Sequence, residues 1–263
     1  MSRIAVLGGG VMGEAIIAGV RRTDPTLDLV IAEKRADRAA ELAERYDVAC
    51  AEPVAAVRGA DVVILVVKPQ DTPHLLSEVG PHVAAGTLVI SIAAGIRTES
   101  ITRHMTGAQV VRAMPNTPAR IGHGVTGVSP SADCPPAALQ QAVALLGALG
   151  TVLEIPEDLQ DAFTAVAGSG PAYVFYLAES MIAAGVELGM SPQVARQAVV
   201  QTLVGSAELL AASSDDPADL RARVTSPGGT TAAAVRVLDS AGTADVLIAA
   251  ITAARDRGRE LAG

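Results

Sequence analysis

Aromatic residues are nearly absent from this chain of 263 residues, which has no Trp, two Phe and three Tyr. Proteins that hold single-stranded nucleic acid stack bases on aromatic faces, and duplex binders need a basic stripe to neutralise phosphates. The chain has neither, and its net charge is -8. A nucleic-acid partner is therefore not expected. Cysteine is also scarce. Cys50 and Cys134 lie far apart with no metal-ligand spacing, so no metal is expected and both read as reduced thiols. Long apolar runs are missing. Val62–Val67 has the length of a strand, well short of a membrane span. The N-terminal apolar stretch after Arg3 is broken by glycines, carries Glu14 and has no A-x-A site, unlike a signal peptide. These absences predict a soluble, cytoplasmic protein with no membrane partner.

The residues present are mainly small and aliphatic, and half are hydrophobic, enough for a sizeable core. From residue 1 to about 115, apolar strands alternate with helical patterns. Strands are expected at Leu29–Ala32, Val48–Cys50, Asp61–Val67, Thr87–Ile92 and Gln109–Ala113, with a helix over Ala36–Arg45. This rhythm predicts an α/β fold with a doubly wound, parallel, Rossmann-type sheet. Two shorter strands, Gly124–Val128 and Thr151–Ile155, flank a helix at Pro135–Leu149. Strand signals stop at Pro156. Helices are expected at Leu159–Ala167, Ala172–Leu188, Pro192–Ala212, Thr230–Ser240 and Ala244–Leu261. Two domains follow: residues 1–156 for a dinucleotide and residues 157–263 as an all-helical domain. Two of the late helices are apolar on more than one face, which predicts a subunit interface.

The first strand, Arg3–Leu7, runs into Gly8-Gly9-Gly10-Val11-Met12-Gly13, and an amphipathic helix follows. Gly8, Gly10 and Gly13 have G-x-G-x-x-G spacing in the strand–turn–helix context that a pyrophosphate site requires. N–H groups at the helix start would face the phosphates. About twenty positions later, Glu33 follows the second strand, and Lys34-Arg35 comes next. A carboxylate there favours a free ribose and NAD, whereas cations favour a 2'-phosphate and NADP. Three further loops should lie on the same sheet edge: Val66-Val67-Lys68-Pro69, Ser91-Ile92-Ala93-Ala94-Gly95 and Arg112–Pro118.

In the helical half, Ala167-Gly168-Ser169-Gly170-Pro171 should break two helices. Thr225-Ser226-Pro227-Gly228-Gly229-Thr230-Thr231 opens a helix with four hydroxyls and two glycines, more than a cap needs, and suits a substrate anion. From Pro156 onward the chain has no Lys, His or Cys, and His74, His82 and His104 read as surface residues. Oxidising or forming an alcohol by hydride transfer calls for such a base. Reducing a C=N bond is less demanding, because an iminium accepts hydride directly and a hydroxyl can orient its nitrogen. The inventory therefore points to imine reduction.

Taken in order, the glycine turn, Val67-Lys68-Pro69, Ser91–Gly95, Arg112–Pro118, Gly168–Tyr173 and Thr225–Thr231 resemble the pyrroline-5-carboxylate reductase family over nearly the whole chain. The resemblance implies NAD(P)H-dependent reduction of L-1-pyrroline-5-carboxylate to L-proline. It implies that Gly8, Gly10, Val11, Met12 and Gly13 hold pyrophosphate, and that Glu33 and Arg35 flank the adenosine ribose. Val66, Val67, Lys68, Pro69, Ile92, Ala93 and Ala94 would line the nicotinamide side. Ser226, Gly229, Thr230 and Thr231 would bind substrate, with Thr231 as the catalytic hydroxyl at the ring nitrogen. It further implies an intertwined homodimer, often assembled into larger rings, with each active site built from two chains. NADP-preferring members commonly carry Ser or Asn with Arg after the second strand. Here Glu33 stands before Lys34-Arg35, and NADP is expected on the strength of Arg35, with NAD as the alternative. A β-hydroxyacid dehydrogenase shares the layout but needs a lysine in the helical half. A non-catalytic NADP-binding sensor would bind cofactor without turnover.

Overall fold

The structure is a computed structural model that describes residues 3–262. Its first half alternates strand and helix: β1 (Arg3–Leu7), α1 (Val11–Thr23), β2 (Asp28–Ala32), α2 (Ala36–Tyr46), β3 (Ala49–Cys50), α3 (Pro53–Val57), β4 (Val62–Leu65), α4 (Thr72–Val79), β5 (Leu88–Ser91) and α5 (Thr98–His104). Then come β6 (Gln109–Pro115), β7 (Gly124–Pro130), α6 (Pro136–Gly147) and β8 (Gly150–Glu154). The eight strands form one sheet in the order β3-β2-β1-β4-β5-β6-β7-β8. Side chains alternate across it, as strand geometry demands. Ile4 and Val6 of β1 join one core layer with Ile16 and Ile17 of α1, Leu42 of α2 and Leu146 of α6. Ala5 and Leu7 join the opposite layer with Val57 of α3, Leu76 of α4 and Ile101 of α5. Both faces are covered, and β4 and β5 are buried throughout, as a central parallel strand requires.

The sheet is not wholly parallel. β6 and β7 pair antiparallel, while β7 and β8 pair parallel to each other. The link 116–123 holds only a short 3₁₀ turn, Thr117–Ile121. A parallel return would need a crossover of about a dozen residues or more. The strand expected over Asp61–Val67 stops at Leu65; Val66 N–H still bonds the Leu7 carbonyl at 2.8 Å, and beyond it the chain enters the 3₁₀ turn Pro69–Asp71. The short helices α3 and α5 carry no readable apolar period in the sequence and emerge only from packing.

After β8 the chain is helical: α7 (Gln160–Phe163), α8 (Gly170–Glu187), α9 (Pro192–Ala212), α10 (Pro217–Arg223), α11 (Thr230–Ser240) and α12 (Thr243–Ala262). The expected break at Ala167–Pro171 is instead a π-turn, Thr164–Gly168, which passes into α8 with Ser169 N–H bonded to the Thr164 carbonyl at 2.8 Å. The chain forms two compact units: residues to Ser169 with the tail from Ala254, and Gly170–Ala253. The segment from Gln160 to Ser169 is anchored on the sheet. Gln160 donates to the Gly127 carbonyl at 3.2 Å and to Ser129 Oγ at 2.9 Å. Asn116 donates to the Ala167 carbonyl at 3.1 Å and accepts from Val125 N–H at 3.0 Å. Among the described residues no single helix is long and apolar enough to cross a membrane. One pair bent by 53°, Thr230–Ser240 with Thr243–Glu260, passes that test only jointly.

One buried cation helps fix the far side of the sheet. Arg112 of β6 is 6% exposed and lies 3.5 Å from Glu157 and 3.6 Å from Asp161. Glu157 also accepts from Thr98 N–H and Thr98 Oγ1, both at 2.8 Å. Arg112→Ala takes the cation away from two partly buried carboxylates, of which Glu157 keeps its Thr98 bonds, and should cost about 3 kcal/mol of stability in a denaturant titration.

Candidate functional site

The site is built where the strand order reverses. β1, β4 and β5 run parallel, so the loops after them emerge on one edge. A cleft of about 1220 Å³ opens there. Its walls include Gly8, Gly10, Glu33, Lys34, Arg35, Val66, Val67 and Lys68. Sequence reasoning missed other residues on the same walls: Cys50, Glu52, Gln70, Asp71, His74 and Glu78. His74 is exposed on α4, as its surface assignment requires, yet it reaches the cleft. No local motif marks these residues, because α4 and the β3–α3 link are brought here by the sheet alone.

The glycine turn has the geometry its spacing predicts. Gly8 has φ +113°, and a Cβ there would lie 2.6 Å from the Val66 carbonyl oxygen. A Cβ on Gly13 would lie 2.1 Å from the Gly8 carbonyl oxygen, so only glycine lets α1 seat against the turn. At Gly10 an added Cβ meets nothing within 4 Å, which leaves the mouth of the turn open. α1 starts at Val11, exposed, and Met12, half-buried, with its N-cap at Gly10. The first N–H groups of this helix have no side-chain cap and suit an anion.

Glu33 and Arg35 take different places. The Glu33 side chain is 10% exposed, and its oxygens accept from Gly9 N–H at 2.8 Å and from Arg35 N–H at 3.0 Å. The Arg35 side chain is 61% exposed, with Nε 4.0 Å from Glu33 Oε1. Lys68 is exposed at the end of β4. Pro69 starts the 3₁₀ turn Pro69–Asp71. Ile92 is half-buried, Ala93 is buried and Ala94 is exposed after β5, and none of these three nor Pro69 stands among the walls of the cleft.

In the second unit, Ser226, Gly229, Thr230 and Thr231 stand at the start of α11. Gly229 is its N-cap, again with no side-chain cap, and Gly229 N–H bonds the Ser226 carbonyl at 3.0 Å. Thr231 is half-buried, and Thr225 is occupied with the Arg221 carbonyl at 2.6 Å. Among the described residues no cluster of His, Cys, Asp or Glu is placed to hold a metal ion.

Behind the turn, Glu14 of α1 is the hub of an ion network. It accepts from Arg38, from Arg45 at 2.7 Å and from the Tyr46 hydroxyl at 2.9 Å. Chiefly through the Arg38 hydrogen bond, its carboxyl is held down at about 2 against an ordinary value of 4.5. A carboxyl depressed in the fold contributes stability above its unfolded value, and the contribution fades as pH falls through the folded one. Glu14→Gln should therefore lose about 2 kcal/mol at neutral pH. The deficit should shrink as pH falls from about 4.5 toward 2, read as the difference in denaturation midpoint between the two proteins.

Comparison with known proteins matches this geometry. Residues 157–261 match the family model for pyrroline-5-carboxylate reductase dimerisation, and residues 3–95 match one described as NADP oxidoreductase, coenzyme F420-dependent. The chain is 40% identical to the pyrroline-5-carboxylate reductase of Mycobacterium tuberculosis, covering 99% of this chain and 97% of that one. It is 38% identical to the reductase of Synechocystis, covering 98% of each. Among solved structures, the Coxiella burnetii pyrroline-5-carboxylate reductase superposes with a TM-score of 0.92 at 32% identity, over 99% of this chain and 98% of that one. The Plasmodium falciparum pyrroline carboxylate reductase with NADP bound gives 0.89 at 25% identity, over 100% and 98%. With its glycine turn, its strand-edge cleft and its helical half all accounted for over the full length, the chain belongs to the pyrroline-5-carboxylate reductase family.

Proposed function

We propose that this chain reduces the C=N bond of L-1-pyrroline-5-carboxylate to give L-proline, with NADPH as the hydride donor. The observation that carries the reading is the open, uncapped turn at the β1–β4 edge in a chain that matches reductases of this name from end to end. NADPH, when bound, supplies a hydride to the imine carbon. The protein's part is binding, orientation and the partner for nitrogen. N–H groups of Gly10, Val11 and Met12 at the positive end of α1 take the pyrophosphate. Arg35, exposed at the rim beside Lys34, pairs with the 2'-phosphate. Val66 and Val67 present apolar surface after β4, and Lys68 adds a positive charge; Pro69 and Ile92–Ala94, outside the cleft walls, are given to the nicotinamide side only by their place in the loops after β4 and β5. The uncapped start of α11 takes the substrate carboxylate through Ser226, Gly229 and Thr230. Thr231 orients the ring nitrogen, whose positive charge is discharged as the iminium carbon accepts hydride and the C=N bond becomes a C–N bond.

The helical unit supports a homodimer. In α8 to α11 only Ala195 and Val199 are buried, while Phe175, Tyr176, Leu209 and Val237 are each more than half exposed. Surface of this kind is covered by a partner in stable proteins. Assembly of dimers into a ring extends the same proposal, as do the 1–156 and 157–263 division of labour and a cytoplasmic location, which the free thiols of Cys50 and Cys134 suit.

Thr231→Ala should lower kcat well over tenfold with NADPH affinity nearly intact, and Thr231→Ser should recover most of it. Unchanged turnover in Thr231→Ala would remove its assigned role, and no turnover by the wild type with NADPH or NADH would remove the enzymatic reading. Arg35→Ala should weaken NADPH binding by roughly tenfold and leave NADH within about twofold, measured by nucleotide titration.

A further inference from the structure

Glu33 stands where a dinucleotide fold keeps its ribose-reading carboxylate, but both of its oxygens already accept from backbone N–H groups of the chain. One oxygen accepts from Gly9 N–H at 2.8 Å and the other from Arg35 N–H at 3.0 Å. From the other side, Arg38 Nε donates to the Gly9 carbonyl at 3.0 Å. Gly9 itself is buried, and a Cβ there would lie 2.7 Å from Leu42 Cδ1 and 3.0 Å from Glu33 Oε2. Arg38 is held in turn by Glu14 and by Glu41 at 2.7 Å.

We infer that Glu33 and Arg38 form a clamp on the Gly9 backbone that sets the phosphate-binding turn before the nucleotide arrives, which makes Glu33 a positioning residue. Peptide planarity gives the reason. In a trans peptide the C=O and the N–H that follows it point in opposite directions. Drawing Gly9 N–H to Glu33 turns the Gly8 carbonyl the other way, where it abuts Gly13. Drawing the Gly9 carbonyl to Arg38 turns the Gly10 N–H away from the protein, toward the open side of the turn. Both peptide planes of the turn are thus fixed by side chains from β2's end and α2. A turn of three consecutive glycines would otherwise lose much backbone freedom on binding. Pre-setting it removes that cost from the binding step. The pyrophosphate is common to NADPH and NADH, so the clamp serves both equally, and discrimination between them falls to Arg35 and Lys34.

The inference rests on the nucleotide reading above but not on turnover, so its test is binding. NADPH and NADH are titrated into wild type, Glu33→Ala, Glu33→Gln, Arg38→Ala and the double variant Glu33→Ala/Arg38→Ala, each checked for folding by its thermal midpoint. Glu33→Ala should weaken both nucleotides by the same factor, about tenfold. Glu33→Gln keeps an oxygen for Gly9 N–H and should recover both to within about threefold of wild type. Arg38→Ala releases the other end of the same residue and should weaken both nucleotides equally too. It carries the test if the Glu33 variants do not fold. The double variant should lose less than the product of the single losses. Opposite shifts, with NADPH tightened and NADH weakened in Glu33→Gln, would overturn the clamp and make Glu33 a ribose reader. Unchanged binding of both nucleotides in Glu33→Ala or Arg38→Ala would also overturn it. A wild type that binds both nucleotides but turns nothing over would sink the proposed reaction and leave the clamp standing on its own result.

Discussion

The nucleotide half of this protein depends on one close approach, that of the Gly13 backbone against the carbonyl of Gly8. A methyl group at Gly13 would sit 2.1 Å from that oxygen, so any other residue would push α1 off the end of β1. The start of α1 fixes where its N–H groups point. Its buried face, Ile16, Ile17 and Val20, fixes one core layer. The contact that shapes the anion site is therefore also the one that lets a helix cover the sheet, and function and stability are not separable there.

Charge is allotted with the same economy. The chain is acidic and holds few lysines, so guanidinium groups do most of the structural work. Arg21 donates to the Tyr46 carbonyl at the end of α2 and to the loop carbonyls of Pro25, Leu27 and Asp47. Arg38 and Arg45 converge on Glu14, and Arg112 is held by acids at the other end of the sheet. These charges are spent on the fold, whereas Lys34, Arg35 and Lys68 are exposed around the cleft. A planar, always-charged fork suits the first set, because it can bond several fixed acceptors at once.

The second unit follows other rules. Its helices form without a core of their own: α8, α10 and α11 bury no residue. Ser191 caps α9 by accepting from Val194 N–H at 3.3 Å, and Pro192 follows at the first helical position. The start of α11 has no such side-chain cap, although Ser226, Thr230 and Thr231 are close in sequence. Those hydroxyls, with the free N–H groups of the helix start, are what the proposed substrate-anion site rests on.

Local signals settled much by themselves. The G-x-G-x-x-G turn, the strands of the first half, and the bounds of α9 and α11 are legible because each rests on neighbours within a few residues. Imine reduction is legible as an expectation from the residue inventory after Pro156, and the full-length match to pyrroline-5-carboxylate reductases, not geometry, is what supports it. What the sequence could not decide depends on partners distant in the chain. The reversal at β7 follows from how a short link closes in space, and the π-turn at Thr164–Gly168 from anchoring by Gln160 and Asn116. His74, Cys50 and Glu52 reach the cleft only because sheet order brings α4 and β3 to one edge. Glu33 is the clearest case. Its position identifies it as the acid after β2, but which way a carboxylate turns is set by the donors around it. Of its two donors Arg35 N–H is local, but Gly9 N–H meets it only once β1 and β2 have paired.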